Sequence, residues 1–136
     1  MIAPMFMAGH PKKGLPTDFK RKIQAGTKIH TIRQNFVHWQ QRVQEVNAGE
    51  AKLELRQWSG KPYNSPQATI ATLYSVGIQR VTTDGQGHFR VDDQEIDPAI
   101  LAENDGLSPI DFLDFFAYPI SDGCLIHFTD FRYGTC

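Results

Sequence analysis

Lys52-Leu53-Glu54-Leu55-Arg56-Gln57-Trp58 decides the fold of this chain. Charged and apolar residues alternate through it, the period of a strand with one wet and one buried face. Trp58 falls one position off that alternation, where it can line a pocket or close a sheet edge. Downstream, Ser59-Gly60-Lys61-Pro62 turns the chain, and residues 68–75 continue in strand character with Ile70, Thr69 and Thr72. Ile78-Gln79-Arg80-Val81-Thr82 and His88-Phe89-Arg90-Val91 then flank Asp84-Gly85-Gln86-Gly87, a hairpin signal. Residues 98–103 begin with proline and suit a short helix. Ser108 caps a second one over Asp111, with Phe112, Phe115 and Phe116 on its apolar face, and residues 124–131 supply a closing strand. Upstream the period is helical. Phe36, Val37, Trp39, Val43 and Val46 mark a helix over 34–47 with Trp39 in the core, ended by Asn47-Ala48-Gly49. Thr17 caps a helix over 18–25 that Gly26 terminates. The expectation is an α+β chain, a curled, mainly antiparallel sheet or barrel with helices 18–25 and 108–117 outside it, not a doubly wound sheet.

The 136 residues suit one domain, 1–136, with a single core. Nine Phe and an apolar share of 40% exclude a disordered tail. No apolar run reaches 18 residues, and the first eight residues are too short and uncharged for a signal peptide, so no membrane partner is expected. Cys124 reads as a packed strand residue and Cys136 as a free thiol or its bridge partner, and a cytoplasmic location is the default. Net charge is -1, but residues 1–61 hold eleven Lys and Arg against four acids, and residues 62–136 hold three against eleven. If those halves part in space, one face draws in a phosphate; if they interleave, they cancel. The near-zero total argues against coating duplex DNA.

Chemistry concentrates in Gly26-Thr27-Lys28-Ile29-His30-Thr31-Ile32-Arg33 and in the distant Asn104-Asp105-Gly106. A desolvated Lys28 can serve as a base and activate the Thr31 hydroxyl, although the three-residue spacing requires a turn between them. Asp105 can orient Lys28 or move a proton. Arg33 offers a planar fork for a carboxylate, a phosphate or a base edge. Each has a plainer alternative: a solvated amine, a turn-stabilising hydroxyl, a turn-fixing acid, an internal salt bridge from Arg33 to Asp105. His30 can stack on or bond a base, or be a satisfied core histidine. His10, Lys12 and Lys13, in the basic loop 9–16, can form a phosphate-facing flap or a solvated loop. No metal set, Walker pattern or dinucleotide glycine pattern occurs, so neither metal nor cofactor is expected.

These two segments resemble the ASCH domains, a branch of the PUA-like β-barrels. That family is marked by Gly-x-Lys followed by Thr or Glu and Arg, here Gly26, Lys28, Thr31 and Arg33, and by a later acid and glycine, here Asp105 and Gly106, before an aromatic helix. The resemblance covers about residues 17–131. It implies a PUA-like barrel whose cleft takes RNA or a nucleotide-related ligand. Small bacterial members are metal-independent amidohydrolases that deacetylate N4-acetylcytidine; their Lys, Thr and acid fall on Lys28, Thr31 and Asp105. The acid in those members is Glu, and this chain adds the Trp39 helix and the 59–64 region. The leading expectation is a domain binding a nucleobase, a nucleotide or single-stranded RNA through a basic cleft that includes Arg33, His30, Lys12, Lys13 and Trp58. The alternatives are deacylation of an N-acylated cytidine and a purely structural or partner-binding role.

Overall fold

The computed structural model describes residue 2, residues 10–59 and residues 65–134. The first-eight-residue segment apart from Ile2, Gly9, most of the 59–64 turn region and Cys136 lie outside the described residues.

Among the described residues four short helices and seven strands follow in chain order: α1 Phe19–Ala25, β1 His30–Gln34, α2 Phe36–Asn47, β2 Leu53–Trp58, β3 Gln67–Leu73, β4 Gly77–Thr83, β5 Phe89–Val91, β6 Gln94–Ile96, α3 Pro98–Asn104, α4 Pro109–Phe115 and β7 Ile120–His127. The strands form an antiparallel five-stranded sheet in the order β1-β7-β4-β5-β6 and a separate antiparallel pair, β2-β3. The α+β, antiparallel expectation therefore stands. No pairing among the described residues joins the two sheets into a closed barrel.

The alternation in the opening heptapeptide produces β2, whose Leu55 is buried at 5% exposure. Its register with β3 runs from Leu53↔Leu73 to Leu55↔Ala71 and then skips Ile70, so the extra residue of the bulge lies on β3. The hairpin expected at 84–87 joins β4 to β5. A second turn, at Asp92 and Asp93, adds β6; both take positive φ, 49° and 66°, as a tight two-residue hairpin requires. Aspartate tolerates that conformation better than most residues, but Asp-Asp is a weaker turn signal than Asp-Gly.

β7 starts at Ile120, four residues before the expected 124. Exposed Ser121 and Asp122 sit where its register with β4 slips, between Val81 and Thr83, which hides the alternation. It runs between β1 and β4. Register places His30, Ile32, Leu125, His127, Gln79 and Val81 on one face, and Thr31, Arg33, Cys124, Ile126, Ile78 and Arg80 on the other. Ile32, Leu125 and Val81 join Leu55 and Ile70 of the hairpin, Phe19 of α1, and Leu101, Phe112 and Phe116 beside them in one core. Leu101 and Phe112 are fully buried, each contributing roughly 1.5–3 kcal/mol by leaving water.

The helix expected at 34–47 is α2, with Asn35 capping it through His38 N–H, but its apolar face is narrower than its sequence suggests. Val43 and Val46 pack with Val76 in a satellite core, whereas Val37 is 69% exposed and Trp39 is half-buried outside both clusters. Trp39 is therefore not a core residue. It stacks edge-on with His38 on the wet side of the helix. α2 ends at Asn47-Ala48-Gly49 as expected, and the Asn47 amide bonds both Val76 N–H and Val76 C=O, tying α2 to the approach of β4. α4 is capped as expected, Ser108 Oγ accepting the Asp111 N–H at 3.2 Å. Thr17 does not cap α1. Asp18 holds that position with φ 61° and no side-chain cap bond, while Thr17 is buried and its Oγ1 accepts weakly from Phe19 N–H at 3.4 Å.

Candidate functional site

α1 ends at Gly26, whose φ of 79° lets the chain reverse; Thr27 N–H and Lys28 N–H both bond back to Lys22 C=O. The chain then runs extended past the end of α3. Lys28 forms a bridge with Asp105, and Ile29 N–H donates to Asn104 C=O at 2.8 Å before β1 begins. Asp105 closes α3, and Gly106 follows at φ 80°, with Lys22 Nζ on its carbonyl at 2.6 Å. An added Cβ at Gly106 would sit 3.1 Å from Lys28 Cβ. The glycine is thus needed twice, for its backbone angle and for the closeness of Lys28.

Lys28 and Asp105 are each 3% exposed. Lys28 Nζ donates to the Asp105 carbonyl at 3.0 Å and to Oδ1 at 3.1 Å, and lies 4.2 Å from the centre of the Phe19 ring. Two of its three donors are used. His30 Nδ1 bonds the same Oδ1 at 3.1 Å, while Oδ2 makes no hydrogen bond among the described residues. Burial alone would raise the Asp105 carboxyl, but the charge of Lys28 and the bonds from His30 and Lys28 outweigh it and hold it below its ordinary value. For Lys28 burial wins instead. Desolvation lowers its pKa, Asp105 offsets only part of that, and Arg33 and Lys22 add repulsion. An amine in that state gives up its proton more readily than a surface lysine.

These groups border a cavity of about 120 Å³ lined by Lys28, Thr31, Arg33 and Asp105 with Phe19 and Phe116 among its apolar walls. β1 is an edge strand, so Thr31 and Arg33 from one face and Ile32 from the other reach the same hollow. Thr31 is 7% exposed and its hydroxyl makes no hydrogen bond among the described residues, to Lys28 or to anything else. The Arg33 guanidinium folds onto Ile32 C=O at 2.9 Å, and burial lowers its pKa despite the nearby Asp105 charge.

Four of the expected residues, Lys28, Thr31, Arg33 and Asp105, therefore meet at one cavity. Five others do not line it. His30 is fully buried behind Asp105, its Nε2 2.7 Å from Tyr133 Oη, so it touches Asp105 rather than a ligand. Lys12 pairs with Asp111 at 2.8 Å, and buried His10 bonds Asp111 C=O. The described part of the basic loop is thus docked on α4 rather than poised as a flap, with Lys13 exposed. Trp58 ends β2 half-buried. The charge-biased halves interleave: β1 pairs with β7, and Lys12–Asp111 and Lys28–Asp105 cross between them. The single charged face is not formed there.

Phe115 and Phe116 read from sequence as helix-face residues, yet they line the cavity together with Phe19 and Ile2. Nothing local distinguishes a phenylalanine that walls a cavity from one that packs a helix. Tyr133 was also missed as the partner of His30, and Asn104 as the donor to Tyr133 Oη; Asn104 at least adjoins the acid. Among the described residues no group of three or more His, Cys, Asp or Glu is placed to hold a metal ion, and no helix is long and apolar enough to cross a membrane. No protein-family model, curated protein or solved structure matches the chain.

Proposed function

We propose that the chain is a PUA-like domain of the ASCH kind that binds the base of a nucleoside, a nucleotide or an RNA end in the Lys28–Asp105 cavity. The observation that carries this reading is the set of unused polar groups around one aromatic-walled hollow: the third Lys28 donor, the Thr31 hydroxyl and Asp105 Oδ2. A donor beside an acceptor matches the edge of a heterocycle that offers the complementary pair. The cavity of about 120 Å³ takes the edge of the base, with sugar and phosphate at its mouth. Titrating the full chain with cytidine, cytidine monophosphate and a short single-stranded RNA, followed by NMR, tests this. Resonances of Lys28, Thr31 and Ile32 move on binding; no response at millimolar nucleoside refutes it.

One observation favours deacylation as a second reading, namely the depressed Lys28 amine sharing a cavity with an unengaged Thr31 hydroxyl. Thr31 Oγ1 attacks the amide carbonyl of an N4-acylcytosine as neutral Lys28 takes its proton. The C–N bond then breaks, the ring amine leaves with that proton, and water hydrolyses the Thr31 ester to release the carboxylic acid. Because Thr31 and Lys28 are not hydrogen-bonded in the free chain, the substrate must draw them together. Asp105 is one methylene shorter than the Glu of the small amidohydrolases, and a misplacement near 1 Å costs on the order of a hundredfold in rate. Incubation with N4-acetylcytidine and chromatography for cytidine decides. Lys28→Ala abolishes product, Thr31→Ser keeps some, and equal product from Lys28→Ala rejects the mechanism.

A further inference from the structure

Behind the cavity, a line of buried polar groups runs from the acid to the C-terminal segment. A carboxylate only accepts hydrogen bonds, so the His30 nitrogen facing Asp105 Oδ1, Nδ1, must carry hydrogen. Asn104 Nδ2 donates to Tyr133 Oη at 3.0 Å. The hydrogen of that phenol is then free for His30 Nε2, 2.7 Å away. Burial pushes the Tyr133 hydroxyl up to about 12, so it stays a donor.

Tyr133 is itself held at its backbone. Its N–H donates to Gln79 Oε1 and its carbonyl accepts from Gln79 Nε2, both at 2.9 Å. The same amide gives a second hydrogen to Asp92 and receives one from His127 Nε2 at 2.9 Å. Every donor and acceptor of Gln79 is used, which fixes the amide's orientation and places the hydrogen of His127 on Nε2. The two core histidines, rings 5.7 Å apart, therefore hold opposite tautomers.

We propose that Tyr133 and His30 are positioning residues for Asp105. The phenol supports from Nε2 the His30 tautomer that the carboxylate selects, His30 holds Oδ1, and Oδ2 is thereby left to the ligand, making the last described residues of the chain a working part of the site. Only the affinity arm of its test rests on the base-binding reading.

The experiment uses the full chain labelled with 15N, with long-range proton–nitrogen NMR of the histidine rings and with cytidine as probe. His30→Gln and His127→Gln assign the two signals. The expected result is His30 as the Nδ1–H form and His127 as the Nε2–H form. In Tyr133→Phe the His30 Nε2 signal moves as its hydrogen-bond donor is lost, while Nδ1 keeps its hydrogen on Asp105. Cytidine affinity falls roughly tenfold, the loss of about one net hydrogen bond, well below the thermal midpoint where the fold is intact. His30→Gln, whose amide can both donate to Asp105 and accept from Tyr133, keeps most of the affinity; His30→Leu loses it as Tyr133→Phe does. Finding His30 as the Nε2–H form in the unmodified chain overturns the proposal, as does Tyr133→Phe with unchanged affinity. If the unmodified chain does not bind cytidine, the base reading fails, while the tautomers and their response to Tyr133→Phe still decide the relay.

Discussion

Replacing Lys28 with methionine keeps the aliphatic stem beside Phe19 and removes the only ammonium on Asp105 among its described partners. Asp105, 3% exposed, would retain one donor, His30 Nδ1. Breaking a buried pair by removing one partner costs about 3–5 kcal/mol, because the other charge is stranded. For a chain of this length about 3–5 °C accompanies each kcal/mol, so the thermal midpoint at pH 7 falls by roughly 10–20 °C. The pH dependence makes the test specific. In the unmodified chain Asp105 lies below its ordinary 3.8, so its contribution is present above that value and is lost as pH falls through the lowered one. In Lys28→Met burial acts without the opposing charge and the carboxyl rises above its ordinary value. The folded variant then binds a proton that the unfolded chain releases, and its stability falls as pH rises from about 4 toward neutrality. The gap between the two proteins is therefore narrow at pH 4 and wide at pH 7. Circular-dichroism melts across that range measure it, and adding Asp105→Asn to Lys28→Met should recover much of the loss. A gap constant within about 2 °C, or a double variant no better than the single one, would refute the argument.

Gly106→Ala combines a positive φ with a Cβ 3.1 Å from Lys28 Cβ; it should cost about 1–3 kcal/mol in urea denaturation and weaken ligand binding by displacing Lys28. Thr31→Val removes a hydroxyl that bonds nothing in the free chain, so stability should stay within about 0.5 kcal/mol while cytidine titration shows lost affinity. Ser108→Ala removes the α4 cap and should lower the urea midpoint by about 1 kcal/mol's worth. Phe112→Ala, at a position with no exposure, should cost about 3–5 kcal/mol in the same assay.

Legibility followed the range of the interactions. The alternation of β2, the hairpin at 84–87, the Ser108 cap and the stop at Gly26 depend on residues within a few positions of one another, and all were readable in order. The limits of β7 and the existence of β6 were not, because a register slip and a pair of left-handed aspartates replaced the usual periodicity and turn residues. Likewise the half-exposed Trp39 has the spacing of a core residue, but on that helix Val43 and Val46 are the buried ones, packed with Val76.

For the site, the residue types and their spacing alone selected Lys28, Thr31, Arg33 and Asp105. Tertiary structure decided what each became. Lys28 and Asp105 are 77 positions apart, and only the passage of residues 28–29 along the end of α3 turns a solvated amine and a turn-fixing acid into a buried pair. The same packing withdrew His30 and Lys12 from the cavity, interleaved the two charge-biased halves, and brought Tyr133 from 103 positions away to His30. Local sequence carries propensity and chemistry, while desolvation and the choice of partner are properties of the assembled core, where segments distant along the chain exclude water together.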